Sequence, residues 1–134
     1  MINKKLGNAF ERQMADYLFG NGFWVELVTS DASGQASDII ALRNGVSYLI
    51  DAKFCSNGYF VLDRIENNQE SAMQHFKAHG GSTGLFAISF NNSPIYMVTL
   101  PRLLEFRAKG IKRIKPEDLD RAGLLLGEWT ILCK

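Results

Sequence analysis

The sequence predicts an α/β fold in which helices flank a central β-sheet. Apolar residues recur at three- and four-residue spacing near the N-terminus and again after residue 65, which is typical of amphipathic helices. Between these segments, two apolar runs, Ile39–Leu42 and Val46–Ile50, flank Asn44-Gly45. Asn-Gly in this position predicts a β-hairpin, because a type I′ turn needs positive φ at both central residues.

Length and composition predict one domain spanning residues 1–134. The formal net charge is only +1, so a nucleic-acid-binding surface would have to be local. Cys55 and Cys133 lack metal-ligand spacing, which favours reduced thiols in a cytoplasmic protein. The N-terminus lacks the apolar core of a signal peptide, and no apolar run approaches the roughly 18 residues that span a bilayer.

The hairpin predicts that two carboxylates face each other. If the turn has two residues, Arg43 pairs with Val46, and Asp38 lies directly opposite Asp51. Opposed Cβ atoms are roughly 4.5–5.5 Å apart, where like charges repel. A divalent cation is the simplest reason for such a pair, since hard cations take carboxylate oxygens. Lys53 points to the same face, so these residues form a candidate metal-assisted site for phosphate chemistry.

An alternative is that Asp38 is a strand-entry residue and that Asp51 and Lys53 form an ordinary exposed pair. The neighbouring residues argue against it, because the hairpin is apolar on both faces. The acids share their face with Ile40, Leu42 and Leu49, and the other face carries Ile39, Ala41, Tyr48 and Ile50. A hairpin covered on both faces is central, so charges at its end are partly desolvated and need a partner or a metal.

The first helix is predicted from about residue 4 to Gly20. Its apolar stripe consists of Leu6, Ala9, Phe10, Met14, Tyr17 and Leu18. Glu11 lies at the edge of this stripe between small residues, where a substrate could approach; the alternative is a solvated glutamate. Phe23 to Thr29 predicts the first strand. The polar residues 30–35 predict a loop that either carries ligand contacts or simply connects the strands.

A second helix is predicted from about Ile65 to His79. Gln69 is the polar residue of its inner stripe, and a buried amide needs partners. The carboxylate cluster is one source of partners, and nearby backbone is the other. His75 and His79 share a helix face, but no third ligand accompanies them, which favours surface or capping histidines.

The rest of the chain predicts strands Leu85–Phe90 and Ile95–Leu100, a helix from Pro101 to Lys109, a helical turn from Pro116 and a last strand Glu128–Leu132. Residues 109–115 are the most basic segment. Together with Arg102 and Arg107 they are candidates for phosphate binding, and a solvated loop is the alternative.

The order of these motifs resembles the PD-(D/E)XK nuclease superfamily, and within it the RecU-type and archaeal Hjc-type Holliday junction resolvases. The matching segments, within residues 5 to 100, are Gly7-Asn8-Ala9-Phe10-Glu11, Ser37-Asp38-Ile39, Asp51-Ala52-Lys53 and Phe60-Val61-Leu62 with Asn68-Gln69. Asp51 stands where Glu is usual, Ser37 replaces Pro, and the chain is too short for the RecU stalk. The resemblance implies a restriction-endonuclease-like core with a central mixed β-sheet flanked by helices.

The resemblance also implies a metal-dependent DNA endonuclease that resolves four-way junctions as a homodimer, using Mg²⁺ or Mn²⁺. The implied catalytic residues are Glu11, Asp38, Asp51, Lys53 and Gln69. The implied metal ligands are Asp38, Asp51, the carbonyl of Ala52, and Glu11. The expected DNA-binding residues are Lys4, Lys5, Arg102, Lys112, Arg113 and Lys115. The dimer interface is expected near Leu85–Leu100 or Leu124–Leu126.

Three alternatives to a junction resolvase remain at this point. The first is a restriction-type or repair-type endonuclease of the same superfamily. The second is a DNA-binding module that kept the fold without catalysis. The third is an unrelated α/β protein whose acids coincide by chance.

Overall fold

The computed structural model describes residues 2–28, 37–91 and 94–133 of the chain. Its strands are β1 (Trp24–Leu27), β2 (Ile39–Arg43), β3 (Val46–Phe54), β4 (Phe60–Val61), β5 (Leu85–Ser89), β6 (Ile95–Thr99), β7 (Arg113–Ile114) and β8 (Leu124–Leu125). Its helices are α1 (Ile2–Gly20), α2 (Asn67–Ala78), α3 (Leu100–Ala108), α4 (Pro116–Ala122) and α5 (Leu126–Leu132). No helix in this part of the chain combines the length and the apolar character needed to cross a membrane.

Six strands form a mixed sheet in the order β1-β2-β3-β5-β6-β8. β3 and β5 are parallel, and the other neighbouring strands are antiparallel. β4 and β7 form a separate two-stranded antiparallel sheet. The predicted α/β class with a central mixed sheet is therefore confirmed.

The hairpin has the predicted turn and register. Asn44 and Gly45 have φ of 54° and 80°, and Arg43 pairs with Val46. The pairing continues to Ile39 opposite Ile50, so the next step along the same register brings Asp38 opposite Asp51.

Each face of the sheet packs against its own apolar cluster, and this explains why the middle of the hairpin is apolar on both sides. On one face, α1 contributes Phe10, Met14 and Leu18 against Ile39, Ala41 and Ile50. On the other, Leu49 packs with residues of β5, β6 and helices α2 to α4. Leu42, near the turn, is the exception, because its side chain is 40% exposed.

The predicted last strand, Glu128–Leu132, is wrong, because this segment lies in helix α5. Leu126, Trp129 and Thr130 are buried on one side at helical spacing, and Trp129 stacks on Phe23 with ring centroids 5.7 Å apart. The β-branched and aromatic residues favoured a strand locally, but packing against α1 and β3 decides the conformation.

Other differences are smaller. The short strands β7 and β8 were not predicted, because two residues are too few to show a period. Ala9 is exposed rather than part of the buried stripe. Thr29 and the predicted loop of residues 30–35 lie outside the described residues.

Candidate active site

The two acids meet where β2 and β3 separate. The backbone N–H of Ala52 donates to Oδ2 of Asp38 at 2.9 Å, in place of a carbonyl of the neighbouring strand. The carbonyl of Asp38 accepts from the N–H of Val28 at 2.8 Å, which ties the start of β2 to β1. Because the N–H and C=O of a strand residue point to the same side, the carbonyl of Ala52 also points toward Asp38.

Asp51 lies in a buried polar network with Lys53 and Gln69. Asp51 is 0% exposed, and Lys53 and Gln69 are 9% and 5% exposed. Gln69 Nε2 donates to Asp51 Oδ1 at 2.7 Å, and Lys53 Nζ lies 2.9 Å from Asp51 Oδ2. Lys53 Nζ also donates to Gln69 Oε1 at 3.4 Å. The structure therefore joins three predicted site residues directly.

The orientation of the Gln69 amide is set by the start of α2. Its Oε1 accepts from the backbone N–H of Glu66 at 3.3 Å, as the returning half of a capping box. With Oε1 held in this way, Nε2 faces Asp51. Gln69 therefore both caps the first turn of α2 and orients a buried carboxylate.

The surroundings of Asp51 disfavour its ionised form. Burial raises the pKa of Asp51 to about 7; the Lys53 ammonium opposes this shift, and the Asp38 carboxylate adds to it. Although Lys53 pairs with Oδ2, no described residue gives this buried oxygen a hydrogen bond of regular geometry. A further cation would satisfy Oδ2 and relieve the repulsion between the acids.

Glu11 joins the site from α1. The pKa of Glu11 is raised to about 7, chiefly by burial and in addition by the Asp38 carboxylate, while the Lys53 ammonium opposes the shift. These couplings place Glu11 within electrostatic range of Asp38 and Lys53. Glu11 is half-buried rather than fully exposed.

The carboxylates of Asp38 and Asp51 fit a divalent cation only if backbone carbonyl or water oxygens complete its ligand set. Within residues 2–28, 37–91 and 94–133, no three His, Cys, Asp or Glu side chains are close enough to hold a metal ion together. Asp38 and Asp51 supply hard oxygen ligands. The carbonyl of Ala52 and water are the natural sources of the remaining ligands.

The four predicted DNA-binding residues with described side chains, Arg102, Lys112, Arg113 and Lys115, lie outside this network. Arg113 and Lys112 lie on or beside β7, and the guanidinium of Arg113 is 4.6 Å from the centroid of Tyr59. Lys115 precedes α4, and Arg102 in α3 pairs with Glu105 at 3.6 Å. Lys4 and Lys5 belong to α1, but their side chains lie outside the described part of the chain.

The two histidines behave as surface residues. His75 and His79 are exposed, with ring centroids 4.2 Å apart, at the end of α2. Nδ1 of His79 lies 2.9 Å from the carbonyl of His75. This arrangement agrees with the predicted capping role.

The family model for archaeal Holliday junction resolvases (Hjc) matches residues 2–128. The chain belongs to this family. It is therefore a structure-selective, junction-resolving nuclease. The fold is similar to that of the Archaeoglobus fulgidus Hjc, described as a Holliday junction resolvase from an archaeal hyperthermophile, with a TM-score of 0.69 and 17% sequence identity over 92% of this chain and 94% of that one. No curated protein matches the chain.

The restriction-endonuclease-like character predicted for the core is confirmed by this likeness.

Two residues beside the site were not predicted. Glu66 fixes the Gln69 amide through its backbone, and Arg64 donates to the carbonyl of Phe54 at 3.0 Å. Glu66 is the N-cap of a capping box without the usual Ser or Thr, and Arg64 belongs to no periodic pattern, so the sequence gave little indication of either residue.

Proposed function

We propose that this junction-resolving nuclease hydrolyses phosphodiester bonds with Mg²⁺ or Mn²⁺ held by Asp38, Asp51 and the carbonyl of Ala52. Of the predicted roles for Glu11, a ligand directly or through water, the second agrees with the structure, because Glu11, Asp38 and Asp51 do not form a three-acid cluster. The observation that carries the proposal is Asp51, a fully buried acid that lies beside a second acid and has the Lys53 ammonium 2.9 Å from its Oδ2. When bound, the metal polarises the scissile phosphate and lowers the pKa of an attacking water.

Lys53 and Gln69 are the remaining catalytic residues of the proposal. The Lys53 ammonium, held between Asp51 and Gln69, orients the water or stabilises the negative charge that develops on the phosphate. Gln69 holds both Asp51 and Lys53 in place. Cleavage of this kind leaves a 5′-phosphate.

The same proposal includes a homodimer that works in the cytoplasm. A four-way junction needs two cuts, and a two-fold dimer provides two matching active sites. The predicted interface at Leu85–Leu100 is unsuitable, since most of these side chains are buried within the sheet. Leu124 and Leu125 are 36% and 39% exposed on the edge strand β8, which favours the other predicted interface, at Leu124–Leu126. A Leu125→Lys variant that stays dimeric by light scattering would exclude this interface.

The test uses one labelled synthetic four-way junction with and without Mg²⁺, beside a linear duplex and a flap of the same sequence. Paired incisions of the junction that require Mg²⁺ and are absent in Asp51→Asn are expected. Junction binding by Asp51→Asn should persist, because affinity comes mainly from phosphate contacts. Full cleavage without a divalent ion, or by Asp51→Asn, would refute the proposal.

A further inference from the structure

Arg64 is held at the active-site end of β3, and the proposed mechanism does not use it. Its Nη1 donates to the carbonyl of Phe54 at 3.0 Å and lies 3.5 Å from Sγ of Cys55. Its guanidinium carbon is 5.9 Å from the centroid of Phe60. Phe54 and Cys55 directly follow Lys53, so these contacts hold the guanidinium at the end of β3 that carries the proposed site. Burial raises the pKa of the Cys55 thiol, and both Arg64 and Lys53 oppose the shift, so the two cations act on one sulfur.

No acid in the described part of the chain neutralises the charge of Arg64. Its side chain is exposed, and no carboxylate among the described residues forms an ion pair with it. The neighbouring acids Asp63 and Glu66 are exposed but do not pair with it. Within the same residues, only Nη1 has hydrogen-bond acceptors. Because arginine presents five donors in a rigid fork, the remaining donors are oriented and available for an external anion.

Two further cations lie on or beside β7, the strand that pairs with β4 just before Arg64. Val61 pairs with Arg113, and the N–H of Leu62 donates to the carbonyl of Lys112 at 3.0 Å. Arg64 follows in the same 3-10 turn, Leu62–Arg64. We call Arg64, Lys112 and Arg113 the β4–β7 basic surface. Its first member, Arg64, contacts the end of β3, and the other two belong to the strand and turn that pair with β4 and Leu62.

We propose that Arg64 is a positioning residue that binds the DNA phosphate next to the scissile one. The rest of the β4–β7 basic surface then carries the same strand away from the acids. This inference rests on the proposed hydrolysis at Asp38 and Asp51. A phosphodiester is the ligand, because an oriented guanidinium fork matches two phosphate oxygens and lies beside the place where a phosphate must react. By holding the neighbouring phosphate, Arg64 sets which phosphate lies over the acids without touching the reacting atoms.

The test measures binding of four-way junctions that each carry one uncharged methylphosphonate near the cut site, in metal-free buffer. For the wild type, one flanking methylphosphonate should weaken binding about tenfold. Arg64→Ala should bind the ordinary junction about tenfold more weakly than the wild type does. The methylphosphonate should not weaken the binding of this variant any further. The slope of its log affinity against log salt concentration should be shallower by about one. Arg64→Lys keeps the charge, so its salt slope should return to that of the wild type while cleavage remains slower.

The matched control is Arg121→Ala, which removes an exposed arginine from α4. Its affinity, salt slope and methylphosphonate profile should equal those of the wild type. The proposed role of Arg64 is refuted if folded Arg64→Ala matches the wild type in affinity, methylphosphonate profile and cleavage rate. If Arg64→Ala does not fold, the same comparison is made with Arg64→Lys. Asp51→Asn, tested in parallel with Mg²⁺, separates the two ideas, because its cleavage would overturn the metal mechanism whatever Arg64 does.

Discussion

Replacing Gln69 with Ala tests how the start of α2 supports catalysis. The change removes the 2.7 Å hydrogen bond to Asp51, the 3.4 Å contact with Lys53 and the 3.3 Å bond from the N–H of Glu66. A bond to a charged group contributes about 1.5–3 kcal/mol and a neutral one about 0.5–1.5 kcal/mol. The free energy of unfolding should therefore fall by about 2–4 kcal/mol.

The same substitution should slow cleavage while leaving junction affinity nearly unchanged. If the bond to Asp51 matters in the transition state, its loss of about 1.5–3 kcal/mol slows cleavage roughly 10- to 100-fold. Junction affinity should stay within about twofold, because Gln69 is buried and contacts no phosphate in the proposal. Single-turnover cleavage and anisotropy measure the two quantities. The matched control is Gln74→Ala, on the exposed side of α2. A folded Gln69→Ala enzyme that cleaves at the wild-type rate would refute the reasoning.

Three further predictions follow from the same structure. Burial holds protons on Asp51 and Glu11 up to a pKa of about 7 in the folded state. Since the unfolded chain releases these protons near pH 4, the free energy of unfolding of the metal-free protein should fall as the pH rises from about 4 to 7. Mg²⁺-dependent cleavage should become faster over the same range. Denaturant titrations and cleavage rates that do not change between these pH values would contradict this. Trp129→Ala should lower the free energy of unfolding by about 3–5 kcal/mol, because Trp129 is buried against Phe23 and Tyr48; a loss below about 1 kcal/mol in urea unfolding would contradict its packing role. Changing Lys112 and Arg113 together to Ala should weaken junction binding and make its salt slope shallower by about two, and an unchanged slope would remove β7 from the DNA surface.

The sequence was most informative where structure is decided locally. Asn44-Gly45 determines a two-residue turn, and the period of two then determines which side chains oppose each other. This is why the register from Arg43 to Ile39 could be predicted residue by residue. The inner stripe of α2 likewise identified Gln69 as a buried amide, with the carboxylates as one of two possible partners.

The sequence was least informative where distant segments decide the structure. Helix α5 contradicts its local β-propensity because Trp129 packs on Phe23, over a hundred positions earlier in the chain. The β4–β7 sheet joins segments about fifty positions apart through two short strands, so the place of Arg64 beside Lys112 had no local signal. The raised pKa of Glu11 depends on burial at the end of the sheet, which the helix pattern alone could not distinguish from exposure to solvent.

The sharing of one divalent ion by Asp38 and Asp51 is tested most directly by titrating Mn²⁺ into the protein without DNA and counting bound ions by electron paramagnetic resonance. One strongly bound ion per chain is expected for the wild type. Asp38→Asn and Asp51→Asn should each lose it, while Glu26→Gln, which changes an exposed acid on β1, should keep it. Wild-type Mn²⁺ affinity in both Asp38→Asn and Asp51→Asn would contradict the account.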